Sequence, residues 1–314
     1  MPLKPSQFIW QDGKLVPWEQ ATVHVLTHAL HYGSSVFEGL RSYMTPKGPI
    51  GFRLTDHIQR MFDSAKIYCM KIPYSVNEIV DACKEVVVKN ELIEGAYLRP
   101  IAFRGYGEMG VTGDPDQPAN CVVAAWKWGN YLGEDALEQG VDVCVSSWQR
   151  VSPNTVPTLA KAGGNYLSSI LVTLEARRLG FHEGVALNNQ GHVSEGAGEN
   201  LFLVRNQKIY TPPLSDSILE GLTRDTTIRL AESLGLPVIE QSIPRDMLYI
   251  ADEIFMTGSA AEITPVRSVD RIPVGSGQRG KVTETLQSKF FGLFDGSVPD
   301  EWGWLENIEL SGDD

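Results

Sequence analysis

Segments of strand length and segments of helical period alternate along almost the whole chain, so the fold is α plus β throughout and a simple coiled coil is excluded. Two short strands over 8–16 flank Asp12-Gly13, a dipeptide that readily takes the positive φ angles of a tight hairpin turn. Asp56, preceded by Thr55 and followed three residues later by Gln59, resembles a capping box. Ile58, Met61, Phe62 and Ala65 then recur at helical spacing, with Arg60 on the same helix. A helix over 76–89 leads through Glu94-Gly95 into a strand over 96–103, and 121–128 is another apolar run of strand length. Between these two strands GYGEMGVTGDPDQP reads as a loop. After Trp128 the polar, glycine-flanked GNYLGEDALEQG marks a linker over 131–138, dividing a domain of residues 1–130 from one of 139–314. Two domains also suit 314 residues at about 150 per domain. VDVCVSSW restarts the strand pattern. Helices are expected over 165–179, 222–234 and 282–293, and strands over 185–188, 201–204, 238–243 and 254–257.

Composition narrows the partners. Lys plus Arg at 27 against Asp plus Glu at 39 gives a net charge of −12, which repels phosphate backbones and anionic lipid surfaces, so neither nucleic acid nor membrane is an expected partner. No apolar run of signal-peptide or membrane-spanning length occurs, and a cytoplasmic location is expected. Cys69, Cys83, Cys121 and Cys144 lie far apart with no C-x-x-C pair, and are expected to be buried free thiols. His28 and His31 sit three apart, yet nothing nearby supplies further ligands, so no metal is expected.

Several motifs resemble chemistry without completing it. Gly105-Tyr106-Gly107-Glu108-Met109-Gly110 matches the dinucleotide fingerprint, but Gly113, Pro115 and Pro118 follow where a helix should open. The segment 275–281, GSGQRGK, approaches a phosphate-cradling loop. Val282 stands where a Ser or Thr hydroxyl must ligate magnesium, which leaves a nucleotide-binding module as a remote alternative to a tight glycine turn. No G-x-S-x-G elbow is present.

Lys161 is different. Across the 24 residues 151–174 it is the only charged side chain, where a chain with 21% charged residues should carry about five. Its neighbours, TLAKAGGNYLSS, are small, apolar or hydroxylic, and desolvation there disfavours an ammonium, leaving an amine able to attack a carbonyl, as lysines that hold pyridoxal phosphate do. Such a site also needs a carboxylate near the ring nitrogen, and HVSEGAGENLFLV offers Glu195 and Glu199 around Gly196, Ala197 and Gly198. It needs phosphate donors as well. The glycine of ILEGLTR precedes the helix over 222–234, where Leu222 and Thr223 would present backbone N–H groups to an anion, and Thr257-Gly258-Ser259-Ala260 forms a second small-residue turn.

Together and in this order, these segments resemble the fold-type IV pyridoxal-phosphate enzymes, most closely the bacterial branched-chain amino acid aminotransferases. THALHYGSSVFEGLRSY, LTDHIQRMFDSAKIY, YLRP, KAGGNYLSS, EGAGENLF, SILEGLTRDT and ADEIFMTGSAAEITPVRSVD carry the likeness almost end to end. The resemblance implies a smaller amino-terminal α/β domain, a larger carboxy-terminal α/β pseudo-barrel domain, and an active site in the cleft between them. It implies that L-leucine, L-isoleucine and L-valine exchange amino groups with 2-oxoglutarate in a ping-pong mechanism. Lys161 would then be the Schiff-base lysine and proton shuttle, Glu195 the partner of the pyridine nitrogen and Tyr166 that of the ring's phenolic oxygen. Arg60, Leu222, Thr223 and Ser259 would hold the phosphate. Tyr97, with the N–H groups of Ser259 and Ala260, would hold the α-carboxylate. Phe37, Tyr32, Tyr131, Trp128 and Tyr166 would line the side-chain pocket, and Arg99 would accept the second carboxylate of 2-oxoglutarate. A homodimer or higher homo-oligomer is implied too. Two relatives on the same fold, D-amino acid aminotransferases and aminodeoxychorismate lyases, would share Lys161, Glu195 and the phosphate donors; the Tyr97-x-Arg99 pair favours the L-branched-chain assignment. Ser259 stands where many relatives have threonine, and the loop over 107–118 varies among them.

Overall fold

The structure, a computed structural model, describes residues 3–129, 132–133 and 135–309. The chain divides into two compact units. The first comprises Met1–Trp128, Ala160–Gly164 and Phe294–Asp314, and the second Gly129–Leu159 and Asn165–Leu293.

The first unit is built on one sheet. Its strands are β1 (Phe8–Gln11), β2 (Lys14–Pro17), β3 (Ser35–Phe37), β4 (Leu40–Thr45), β5 (Gly48–Phe52), β6 (Gly95–Phe103), β7 (Asn120–Trp126) and the carboxy-terminal strand Leu305–Asn307. The path runs from that last strand through β5, β4, β6, β7 and β1 to β2, with β3 also pairing with β6. The β1–β2 hairpin turns at Asp12 and Gly13, whose φ angles are 47° and 90°, as the sequence predicts. Alternation along β6 sorts its side chains. Leu98 and Ala102 join Val123 and Ala125 of β7 in a core shared with Ile58, Met61 and Ala65 of α2 (Leu54–Ile67) and Ile79, Cys83 and Val86 of α3 (Val76–Lys89). Tyr97 and Arg99 therefore fall on the opposite face, with Trp126 of β7 directly across from Tyr97.

Helix α3 opens on a capping box in which Ser75 and Glu78 bond each other's backbone N–H. The box expected at Asp56 does not form. Arg53, at φ 52°, is the N-cap of α2 and has no capping side chain; Asp56 lies inside the first turn, where its carboxylate accepts from Arg53 Nε at 2.7 Å. The Thr55 N–H instead donates to Glu306 on the carboxy-terminal strand, at 2.7 Å. A short helix, α1 (His28–Tyr32), precedes β3, and both His28 ring nitrogens are engaged, one by the Ser34 hydroxyl and one by the Gly110 carbonyl. Of the four cysteines, Cys83, Cys121 and Cys144 are buried, but Cys69, just past the end of α2, is exposed, against expectation.

In the second unit, β8 (Val141–Gln149) runs parallel to β9 (Glu183–Leu187), and α5 (Tyr166–Arg178) makes the crossover that a parallel pair requires. A four-residue helix, α4 (Ala136–Gln139), leads into β8. The sheet continues with β10 (His192–Gly196), β11 (Asn200–Arg205), β12 (Lys208–Thr211), β13 (Val238–Glu240), β14 (Ile243–Pro244), β15 (Glu253–Gly258), β16 (Glu262–Val269) and β17 (Ile272–Pro273). Its order is β13-β12-β11-β15-β16-β8-β9-β10-β14, with β17 attached to β16. Helix α6 (Leu222–Ser233) and α7 (Lys281–Asp295) start within a residue of their expected positions.

The amino terminus of α7 removes the nucleotide alternative. Glu253 accepts from the N–H groups of Val282 and Thr283 at 2.9 and 2.8 Å, so a carboxylate already sits where a phosphate would go. On α5, Val172 and Ala176 are buried, whereas Leu167, Ile170, Leu171 and Leu174 are 67%, 52%, 39% and 57% exposed. The charge-poor stretch is thus not one core element; it is a loop followed by a helix with an outward apolar stripe.

The segment Ala160–Gly164 and the carboxy-terminal residues group with the first unit, although the sequence places both in the second domain. The cause is pairing across a long separation: Val36 bridges to Ala162, and Leu305–Asn307 pairs with β5.

Candidate active site

In the first unit Lys161 is fixed by its backbone. Its N–H donates to Ser64 Oγ of α2 at 3.0 Å, and its carbonyl accepts from the Phe37 N–H at 3.0 Å. The side chain is half-buried, with Nζ 5.1 Å from the Phe37 ring centroid. The Arg99 guanidinium lies 4.9 Å from the same centroid, 5.4 Å from that of Tyr97 and 5.9 Å from that of Trp126. Stacking on aromatic faces suits a planar, weakly hydrated guanidinium. Arg99 Nη2 also reaches the Tyr97 hydroxyl at 3.4 Å, and its buried Nε has no hydrogen-bond partner among the described residues. Tyr97 packs edge-on against Trp128, ring centroids 4.2 Å apart. Glycine at 39 is a condition of this arrangement, because a Cβ there would collide with the Tyr97 hydroxyl oxygen.

Arg60 enters from α2. Its Nε and Nη2 donate to the two oxygens of Glu38 at 2.7 and 2.8 Å, and His57, one turn earlier on the same helix face, donates from Nδ1 at 2.7 Å. Burial pushes the Glu38 carboxyl up, but the Arg60 and His57 contacts outweigh it and hold the group well below the usual carboxylate range. Burial also lowers the pKa of His57, and with the Arg60 and Lys161 charges it prevails over the raising effect of Glu38.

In the second unit the functional side chains gather at strand ends. Glu195, buried on β10, accepts from Arg150 Nη2 at 2.6 Å, Asn200 Nδ2 at 3.1 Å and the Leu219 N–H at 3.0 Å. Asn200 also ties this carboxylate to the start of α6, since a Cβ on the N-cap Gly221 would collide with Asn200 Oδ1. The N-cap of α6 is Gly221, which has no side chain to cap it, and Leu222 and Thr223 form the first turn. Asn200 pairs in register with Thr257 of β15, whose buried hydroxyl has no partner among the described residues. Ser259 and Ala260 follow two and three residues on, half-buried in the turn after β15.

The structure thus brings Phe37, Tyr97, Arg99, Trp128 and Lys161 together, and sets Glu195, Leu222 and Thr223 around Asn200. Glu199, offered as an alternative to Glu195, turns its carboxylate to the Gly198 N–H at 3.0 Å. Tyr32 is 45% exposed, its ring tilted against that of His28 with centroids 4.5 Å apart. Tyr166 opens α5, half-buried. Tyr131 lies outside the described residues. Four contributors have no role in the sequence reading: Glu38 and Asn200, although both lie inside motif segments, and Trp126 and Arg150. Only Trp126 had a local signal, its alternation with Trp128 at the end of β7.

A donor set of this kind fits a phosphorylated pyridine. An oriented carboxylate suits a ring N–H, and the Thr257 hydroxyl, buried with no partner among the described residues, and the glycine-led start of α6 suit a phosphate. Residues 35–269 match the model of the amino-transferase class IV family. This chain belongs to that family. The branched-chain-amino-acid aminotransferase of Salmonella typhimurium is 54% identical over 308 residues, covering 98% of this chain and 99% of the relative. Among solved structures, the Escherichia coli branched-chain amino acid aminotransferase superposes with a TM-score of 0.96 at 54% identity, over 97% of this chain and 100% of that one. The branched-chain amino acid aminotransferase from Thermobaculum terrenum, in its PLP-form, superposes with a TM-score of 0.90 at 33% identity, over 97% and 99%. As a class IV aminotransferase, the protein is an enzyme of amino-group transfer, with the mixed α/β fold of these relatives.

Proposed function

We propose that this aminotransferase moves the amino group of L-leucine, L-isoleucine and L-valine to 2-oxoglutarate, with pyridoxal 5'-phosphate as cofactor. The observation that carries it is the Arg99 guanidinium framed by Phe37, Tyr97 and Trp126. Aromatic walls accept a branched aliphatic side chain, and one cation among them answers the second carboxylate of the amino acceptor. Relatives spanning nearly the full chain are branched-chain aminotransferases, which supports the same donors.

When bound, the cofactor supplies a carbonyl that takes up the amino group and a ring that withdraws electrons from the substrate α-carbon. The protein does the rest. Lys161 Nζ, 5.1 Å from the Phe37 ring centroid, would take the proton from the substrate α-carbon and deliver it to the cofactor's carbonyl carbon. Glu195 would accept a hydrogen bond from the ring nitrogen, its carboxylate kept in place by Arg150, Asn200 and the Leu219 N–H. Tyr166 is assigned to the phenolic oxygen of the ring. Arg60, the N–H groups of Leu222 and Thr223, and the Ser259 hydroxyl take the phosphate. Tyr97 and the N–H groups of Ser259 and Ala260 take the α-carboxylate. Tyr32, Trp128 and Tyr131 complete the side-chain pocket.

The outward stripe of Leu167, Ile170, Leu171 and Leu174 on α5 supports self-association into a homodimer or higher homo-oligomer. Four free thiols accord with a cytoplasmic setting. Purified protein given L-leucine and 2-oxoglutarate should form L-glutamate; activity with D-alanine and none with L-leucine would instead assign it to the D-amino acid branch.

A further inference from the structure

Glu38 occupies the two-residue link between β3 and β4 with none of its surface exposed. It points its carboxylate at α2, taking two N–H donors from Arg60 and one from His57, and its own link adds the Gly39 N–H at 3.3 Å. A carboxylate removed from water in this way is unfavourable unless such donors compensate it. Burial lowers the pKa of His57, so at neutral pH the ring is uncharged and carries its proton on Nδ1, the atom that faces Glu38. The cluster therefore combines one negative and one positive charge, Glu38 and Arg60.

A cation recruited for its charge alone would attract a phosphate best with no carboxylate against it. A cation recruited for its direction benefits from a clamp, because a long side chain otherwise loses rotamer freedom when its ligand binds. The two-point fork also fixes the guanidinium plane, as one contact could not. We propose that Glu38, braced by His57, is a positioning residue that holds the Arg60 guanidinium in a single orientation for the cofactor's phosphate. This rests on the assignment of Arg60 to that phosphate. Nε and Nη2 form one side of the guanidinium, so the two Glu38 contacts fix which way its other side faces.

The test compares the dissociation constants of pyridoxal 5'-phosphate and unphosphorylated pyridoxal for the full-length apoprotein, followed by absorbance, in wild type, E38Q, E38D and R60A. E38Q and E38D should each weaken the phosphorylated ligand about tenfold while pyridoxal changes less than about twofold. E38D keeps the charge and withdraws it by one methylene, so it decides the question if E38Q does not fold. Tighter binding of the phosphorylated ligand by E38Q would show that Glu38 only offsets charge, and equal weakening of both ligands would show a purely structural role; either overturns the proposal. If R60A collapses the discrimination and both Glu38 variants retain it, Glu38 is refuted alone. If R60A also retains it, the assignment of Arg60 to the phosphate fails, and the proposal with it.

Discussion

Replacing Arg150 with methionine would test whether Glu195 depends on a buried counter-ion. Both side chains are 7% exposed and meet at 2.6 Å, so removing the guanidinium strands a carboxylate out of water. Breaking a buried pair costs about 3–5 kcal/mol. Asn200 Nδ2 and the Leu219 N–H remain as donors, which places Arg150→Met near the low end, at about 3 kcal/mol. Glu195→Gln strands Arg150 in turn and should cost about the same. The double variant leaves no stranded charge, so its loss should not exceed that of either single variant, at most half of what addition predicts, giving a coupling of at least about 3 kcal/mol. Urea denaturation of the apoproteins, with circular dichroism and tryptophan fluorescence giving coincident transitions, measures all four members of the cycle. Additive losses, within about 0.5 kcal/mol, would show that the two charges do not depend on each other.

Three other perturbations follow. His57 has a lowered pKa when folded, so between its unfolded value near 6.5 and the lower folded one the unfolded chain binds the extra proton; stability should rise with pH across that window, by at most about 1.4 kcal/mol per unit. His57→Gln should remove this component, and an unchanged slope from pH 5 to 7 would contradict it. Burial pushes the thiols of Cys121 and Cys144 up to about 12 and about 11 and raises that of Cys83 as well, whereas Cys69 is exposed, so a thiol reagent should titrate one fast cysteine in the native protein and four after denaturation. More than one fast thiol would count against this packing. Gly39→Ala should displace Tyr97 and raise KM for both amino donors and oxo-acid acceptors, by about tenfold for one lost carboxylate contact; unaltered steady-state constants would remove Tyr97 from substrate binding.

What could be read beforehand was what depends on local chemistry. The β1–β2 turn, α3, α6 and α7 each follow from a few adjacent residues, and the positions of Lys161, Arg60 and Glu195 from short motifs. What could not be read depends on partners far away in sequence. The start of α2 is supported by Glu306, 251 residues from Thr55, so the nearby Thr55 and Asp56 pattern misleads. Strand β10 carries Glu195 but shows no alternation, because Ser194 and Glu195 are both buried and bonded, Ser194 to the Asp216 carbonyl. Glu38 and Arg150 look like ordinary charged residues until the fold brings each to its counter-ion. The outward stripe of Leu167, Ile170, Leu171 and Leu174 on α5 likewise has no local signal, because burial is decided by what packs against the helix.

The most direct measurement asks which lysine meets the cofactor. Borohydride reduction of the protein loaded with pyridoxal 5'-phosphate, followed by digestion and mass spectrometry, should place one phosphopyridoxyl group on the peptide containing Lys161. A label on any other lysine, or none on Lys161, would contradict the account at its centre.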